Sequence, residues 1–483
     1  VSILGGLEPK AVFYHFEQLT KIPRESGNER RVSDFLVRFA KENGLDFVQE
    51  DCLNVIISKP GTEGYEDAPE VILQGHMDMV CVKNEDILFD FNTDPIPIFV
   101  DGDMIRTKGT TLGADNGIAV AMILAILESK DMPHPPLTAL ITVSEETGMD
   151  GVLQLDPSHI SGDILINLDS EDEGILLASC AGGVHNIVRL PISRRNVSQG
   201  VAYDISIQGL TGGHSGLEID KNRANAIKLL GRVLQAIENE LEFDIVGVKG
   251  GEKMNAIPTA ASATIVSDEH RDKLDMIIEK YQHVFREEYG TPDPYIAIHL
   301  HERQLRSEIQ VISPEAKKNL LSLLILLPTG VQTMSANIKG LVESSNNIGV
   351  LETKETEIVF SNAVRSSVRS LKEEINQRIQ NLCLLTGAEM ELVADYPEWE
   401  FKTNSPIRDL MLDVYQDMYG KEAKVDAIHA GLECGFLQQV IGDIDMISLG
   451  PDIFDVHSPN EHLSISSTNR VYKFLCEVLK RVK

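Results

Sequence analysis

Short apolar runs rich in β-branched residues recur at 54–58, 71–73, 139–143 and 164–168. Runs of this length without polar alternation predict strands buried on both faces. Between the second and third lies 116–129, apolar and long enough for a helix. Strand, helix and strand in that order predict an α/β layer with a mostly parallel sheet. Ahead of it, 8–45 reads as helical with breaks at Pro23 and Gly44. The apolar runs 118–127 and 320–327 are too short to span a bilayer and predict buried helices.

The pattern changes near Gly182-Gly183. Residues 184–209 alternate more openly, as antiparallel strands with one wet face do. Helices are predicted at 222–240, 269–288, 314–327 and 371–385, with strands at 261–266, 295–301, 347–351 and 358–364. From 405 the α/β character returns: helix 406–419, strand 423–428, helix 434–439, strand 445–448 and a last helix 468–481. The expected architecture is therefore one discontinuous α/β domain, 1–183 and 396–483, interrupted by a large α+β insertion, 184–395.

At 483 residues the chain has the length of about three ordinary domains. Its 44 Lys+Arg against 74 Asp+Glu give a formal charge of −30. Such a surface repels phosphate backbones and anionic lipid, so neither nucleic acid nor membrane is expected as a partner. The six cysteines are scattered and form no CxxC pair, which favours reduced thiols over a disulfide framework. The opening residues lack the basic start and long apolar run of a secretion signal. Together these lead us to expect a cytoplasmic protein.

Acids and histidines sit just past the predicted strands, where open α/β sheets collect ligands. His76 and Asp78 follow the strand at 71–73, Glu145 and Glu146 the one at 139–143, and Asp169 the one at 164–168. Asp115 stands at the mouth of a helix, and His457 in the loop after 446–450. Taken singly, each has a bland explanation: a helix N-cap, a solvated acidic pair, a satisfied structural histidine. Five strand-end loops that can all converge on one pocket change that balance. Imidazole and carboxylate without thiolate suit Zn²⁺, with Co²⁺ or Mn²⁺ as alternatives. Two histidines and three carboxylates suit two metals about 3.5–4 Å apart, bridged by a carboxylate and a water. Of Glu145 and Glu146, neighbours in an assumed extended segment, one can hold metal while the other faces that water. Asp78 points the same way as His76 and can orient its imidazole.

The segments QGHMDMV, TTLGADNGIAVAM, TVSEETGMDG, NLDSEDEG, GLTGGHSG, MNAIP and HSPNEHLSI resemble the M20 metallopeptidase family. HAGLECG at 429–435, the large insertion and the TLGADNG wording resemble its Xaa-His (aminoacyl-histidine) dipeptidase branch. The resemblance covers nearly the whole chain. It implies a zinc-peptidase catalytic domain interrupted by a lid or dimerisation-like domain.

The resemblance also implies roles. His76, Asp115 and Asp169 would bind one zinc, and Asp115, Glu146 and His457 the other. Glu145 would be the general base and Asp78 would steer His76. A cis peptide is expected after Asp115. His214 would stabilise the oxyanion; Asn255 and Arg365 would grip the substrate, with Arg369 competing for the part of Arg365. His429, Glu433 and His462 lie in motif-like segments without an assigned role. The implied activity is hydrolysis of Xaa-His and related dipeptides, with a small peptide as the partner molecule and a homodimer left open. Aminotripeptidase, carboxypeptidase and N-acyl-amino-acid hydrolase activities share the metal set and stay as alternatives. A non-catalytic metal-binding protein on the same fold is disfavoured by the presence of Glu145 and every ligand. HExxH, GxSxG and GxxxxGK[ST] are all absent.

Overall fold

The structure, a computed structural model, describes residues 2–268, 271–305 and 307–483. Contacts divide the chain into two units. The first comprises Val1–Ser179, Phe401–Ala427 and Leu432–Lys483; the second comprises Cys180–Glu400 and Ile428–Gly431. The second unit thus begins and ends a few residues outside the expected 184–395, and it includes four residues from the HAGLECG segment. The boundary falls there because Cys180 and Trp399 exchange backbone hydrogen bonds, and Ala181 donates to Ile428.

The first unit is built on an eight-stranded sheet. Its order is Asp46–Gln49, Val55–Lys59, Leu137–Thr142, Val71–His76, Ile164–Asn167, Asp445–Ser448, Ile175–Cys180 and Lys424–Ile428. The four central strands, Leu137–Thr142 to Asp445–Ser448, run parallel. Val55–Lys59 joins them antiparallel on one side and Ile175–Cys180 on the other. Val71–His76 and Leu137–Thr142 are buried at every position, as strands covered on both faces must be. The helix Ala114–Glu128 is apolar all round, and every residue from Gly117 to Leu127 is buried. Each large aliphatic side chain so enclosed contributes roughly 1.5–3 kcal/mol. The long N-terminal helical stretch is two helices, Lys10–Leu19 and Arg30–Asn43. The second stops at Gly44 in the left-handed region, where a side chain would be strained. A small four-stranded sheet was not expected: Ile453–Phe454, His462–Ser464, Met104–Arg106 and Phe99–Asp101. Its strands are two or three residues long, too short to show a periodic signal.

The second unit carries a nine-stranded sheet whose registered pairs are all antiparallel. Its helices are Ala226–Glu240, Arg271–Tyr289, Pro314–Leu326 and Arg369–Thr386. The predicted start of the second helix, at Glu269, lies outside the described residues. Strand Asp244–Gly250 meets Val342–Thr353 through only two residue pairs, Lys249 with Glu352 and Gly250 with Leu351. Among the described residues, no helix is long and apolar enough to cross a membrane.

Candidate metal and catalytic site

Within the first unit, the carboxyl ends of the parallel strands supply the site. His76 ends its strand, Glu145 and Glu146 follow Leu137–Thr142 by three and four residues, and Asp169 follows Ile164–Asn167 by two. Asp115 sits where the helix Ala114–Glu128 is interrupted: Asp115 and Asn116 leave helical geometry, and the peptide between them is cis, as the resemblance implies. Asn116 ties this kink to two strand ends. Its amide donates to Leu168 O at 3.0 Å, and its Oδ1 accepts from His76 N at 3.2 Å. A side chain at Gly75 would collide with that Oδ1. His457 belongs to the turn of the hairpin Ile453–Phe454 and His462–Ser464, with a positive φ of 57°.

Asp115 offers one carboxylate oxygen to each imidazole. Oδ1 lies 3.2 Å from His76 Nε2, and Oδ2 lies 3.1 Å from His457 Nε2. Asp169 Oδ1 is 3.5 Å from His76 Nε2, and Glu146 Oε2 is 2.9 Å from His457 Nε2. Glu145 Oε2 stands 4.0 Å from His76 Nε2. Ligand atoms of His76, Asp115 and Glu146 all lie within 4.8 Å of one another, a group able to hold a metal ion. That trio draws members from both expected ligand sets.

The pair Glu145-Glu146 differs from expectation in one respect. It is not extended but opens a single helical turn, Glu145–Gly148, after Ser144 at φ 53°. The two side chains still diverge, because helical neighbours step by about 100° around the axis. Asp78 does more than face His76. Its carboxylate lies 3.3 Å from His76 Nδ1 and also accepts the backbone N–H groups of Glu145 at 3.2 Å and Glu146 at 3.3 Å. Ser26 donates to it at 2.7 Å.

The donor set fits a divalent cation. Burial and the neighbouring acids push Asp169 up to about 6, with His76 working the other way. Burial likewise pushes Glu145 well above its ordinary value, against the pull of His76 and with Asp169, Glu433 and Glu146 adding to the rise. Hydrogen bonds to Asp115 and Glu146 bring His457 up to about 11. Burial opposes charge on His76, yet Asp169, Asp115 and Asp78 raise it well above the ordinary value. The site gathers an excess of partly enclosed carboxylate that calls for positive charge, which a metal ion would supply.

Other motif residues have identifiable partners. Glu433 is buried beneath the strand ends, accepting from Gln74 at 2.6 Å and Thr142 at 2.9 Å; burial pushes it up to about 7. His462 pairs with Asn460 O and stacks on Phe454.

The second unit gathers His214, Arg365 and His429 around Gly216. A Cβ there would lie 3.1 Å from His214 Cε1, 3.2 Å from Arg365 Nε and 2.6 Å from His429 O. His214 Nδ1 accepts from the backbone N–H of Gly216 and of Leu217, at 3.2 and 3.0 Å. That leaves the ring proton on Nε2 in the neutral form, and burial together with Arg365 lowers the His214 pKa. Arg365 donates to Tyr396 Oη at 2.7 Å, while its buried Nε has no hydrogen-bond partner among the described residues. Arg369 is instead committed to Glu398 at 2.8 Å. His429 Nε2 lies 2.7 Å from Ser345 Oγ, and burial lowers its pKa to about 3. Asn255 is exposed, and its carbonyl accepts from Ser215 N.

The chain matches the family described as Peptidase family M20/M25/M40 over residues 72–481. It belongs to that family. The peptidase is 36% identical to the cytosol non-specific dipeptidase of Escherichia coli (strain K12), over 100% of this chain and 99% of that one. Its structure is similar to that of aminoacylhistidine dipeptidase from Vibrio alginolyticus, with a TM-score of 0.94, 35% identity, and coverage of 99% of this chain and 98% of that one. It shares its fold with the aminopeptidase PepT from Bacillus cereus ATCC 10987, at a TM-score of 0.57 and 14% identity over 99% of each chain.

Proposed function

We propose that this peptidase is a metal-dependent dipeptidase that hydrolyses Xaa-His and related dipeptides and holds two divalent ions, zinc first among them. The observation that carries the reading is Asp115, with one oxygen toward His76 and the other toward His457. One ion would be held by His76, Asp115 and Asp169, the other by Asp115, Glu146 and His457. Bound there, the ions would polarise the scissile carbonyl and lower the pKa of an attacking water toward ~7.

Glu145, a largely enclosed carboxylate beside His76, takes a proton from the attacking water and passes it to the leaving amine. Asp78 keeps Glu145 and His76 in register through the contacts described above. His214 donates its Nε2–H to the developing oxyanion, a part suited to a neutral imidazole whose Nδ1 is occupied. Arg365, with an unpartnered Nε, receives the substrate's C-terminal carboxylate; Asn255 assists. Arg369, spent on Glu398, is set aside for that part.

The names of the two relatives near 35% identity support dipeptides over longer substrates. Residence in the cytoplasm is part of the proposal, supported by six cysteines that form no disulfide. The test is a panel of Xaa-His dipeptides, other dipeptides, a tripeptide and an N-acetyl amino acid, assayed on metal-stripped and zinc-restored protein. Zinc-dependent turnover confined to dipeptides is expected. Preference for the tripeptide or the N-acetyl amino acid would overturn the reading.

A further inference from the structure

Outside the reacting groups, the first unit buries two opposite charges, Arg24 and Glu461. Arg24 is among the largest fully buried side chains of the chain. Among the described residues its guanidinium donates only to backbone carbonyls: Nη1 to Met77 O and Asp78 O, each at 3.0 Å, and Nη2 to Gly113 O. Glu461, also buried, accepts only from backbone amides among the described residues. Oε2 takes the N–H of Leu112 at 2.7 Å and of Gly113 at 3.0 Å; Oε1 takes the N–H of Ala114 at 2.8 Å and of Asp115 at 3.2 Å.

Gly113 is thus held from both sides, its carbonyl by Arg24 and its amide by Glu461. It sits at φ 70°, and a side chain there or at Gly117 would press into the guanidinium. This accounts for both glycines of TLGADNG.

We infer that Arg24 and Glu461 are positioning residues that pre-form the metal site by fixing three ligand-bearing segments to one another. Arg24 joins the end of the His76 strand to the loop that presents Asp115. Glu461 joins that same loop to the turn that carries His457, four residues upstream of it. Neither residue reaches a reacting atom. Their work is to hold His76, Asp115 and His457 at ligand spacing without a cation, so that binding a metal need not organise the loop. The guanidinium fork matters because one group must serve carbonyls of two segments, which a lysine ammonium on a flexible stem does poorly.

The inference rests on Asp115 as a metal ligand, and its test separates the two ideas. Amide hydrogen exchange on the full, metal-stripped wild-type chain is read at Leu112, Gly113, Ala114 and Asp115. Protection already present without metal is expected; amides that exchange freely until metal is added would overturn the inference. Glu461→Gln replaces one acceptor oxygen by an amide that faces backbone N–H groups. With its cooperative unfolding intact, it should bind Co²⁺ about 10–100-fold more weakly and show an altered visible absorption spectrum of the bound ion. Arg24→Lys, which keeps the charge, should do the same; wild-type affinity and spectrum in a folded variant would overturn the inference. If either variant fails to fold, the exchange measurement on wild type decides. Wild type that takes up no Co²⁺ at all would instead count against the proposed metal site.

Discussion

Asp78 and His76 stand two residues apart on one strand end, with the Asp78 carboxylate 3.3 Å from His76 Nδ1. That contact leaves Nε2 facing Asp115 and Asp169. The same carboxylate receives the amides of Glu145 and Glu146, so one side chain aligns a proposed ligand and the proposed base. Asp78→Asn turns one acceptor into a donor and removes the charge opposite Nδ1. Metal affinity, measured by competition with a chelator, should fall about 10–100-fold. At saturating metal, kcat should still stay below wild type, because the Glu145 turn has lost an anchor. Full recovery at high metal would show that Asp78 acts on His76 alone.

Glu145 lies 4.0 Å from His76 Nε2 and makes a less intimate contact than Asp115 or Asp169. A base that is not a ligand should be removable without emptying the site. Glu145→Ala should keep the wild-type metal stoichiometry by elemental analysis and lose turnover by about 10²–10⁴-fold. A parallel loss of metal would reassign Glu145 as a ligand, and near-normal turnover would remove it from the mechanism.

His214→Ala deletes the proposed oxyanion donor. Such a donor acts in the transition state more than in the ground state, so kcat should drop about 10²–10³-fold while KM moves little. A rise in KM with kcat unchanged would make His214 a substrate-binding residue. The Nδ1 hydrogen bonds to Gly216 and Leu217 suggest a sharper version. His214→Gln retains an N–H donor but cannot reproduce the ring's placement, so any rescue of kcat should be partial.

Much of this was legible in the sequence, for reasons that differ by residue. His76, Glu145, Glu146 and Asp169 announce themselves because fully buried parallel strands read as unbroken apolar runs. The first residues past such runs stand at the sheet's carboxyl edge. Asp115 and His457 owe their places to backbone features without a periodic signal: a break in a helix, and a hairpin turn between strands of two and three residues. Position alone marks them as candidates, and for them, as for the other five, the division into ligand and base comes from the motif resemblance. The proposed preference for Arg365 over Arg369 has no signal in sequence, because it rests on Glu398, 29 residues further along, which pairs with Arg369. Arg24 and Glu461 carry no sequence signal for a related reason. They bind backbone rather than side chains, so no partner residue type flags them, although the glycines of TLGADNG were the trace they left.

Glu17 allows a pH test remote from the metal ligands. Its buried carboxylate accepts from Ser2 Oγ at 2.6 Å and Leu4 N at 3.0 Å, with Lys21 Nζ at 3.4 Å. Burial disfavours the charge, but those hydrogen bonds and Lys21 prevail and bring the group from the usual 4.5 to about 2. A carboxylate whose folded pKa lies below its unfolded value adds stability that is fully present above about 4.5. That stability is lost as pH falls toward about 2, because the unfolded chain takes up the proton first. Hydrogen bonds to a charged acceptor are worth about 1.5–3 kcal/mol. Glu17→Gln should therefore unfold at lower urea concentration than wild type by a margin that is constant from pH 6 to 8. The margin should narrow steadily below pH 4.5, where the unfolded wild-type chain takes up a proton that the folded protein does not. Equilibrium urea unfolding of both proteins across that range measures it. A margin unchanged at pH 3 would mean that the Gln loses packing or shape rather than charge, and that the anchored N-terminal segment does not depend on the Glu17 carboxylate.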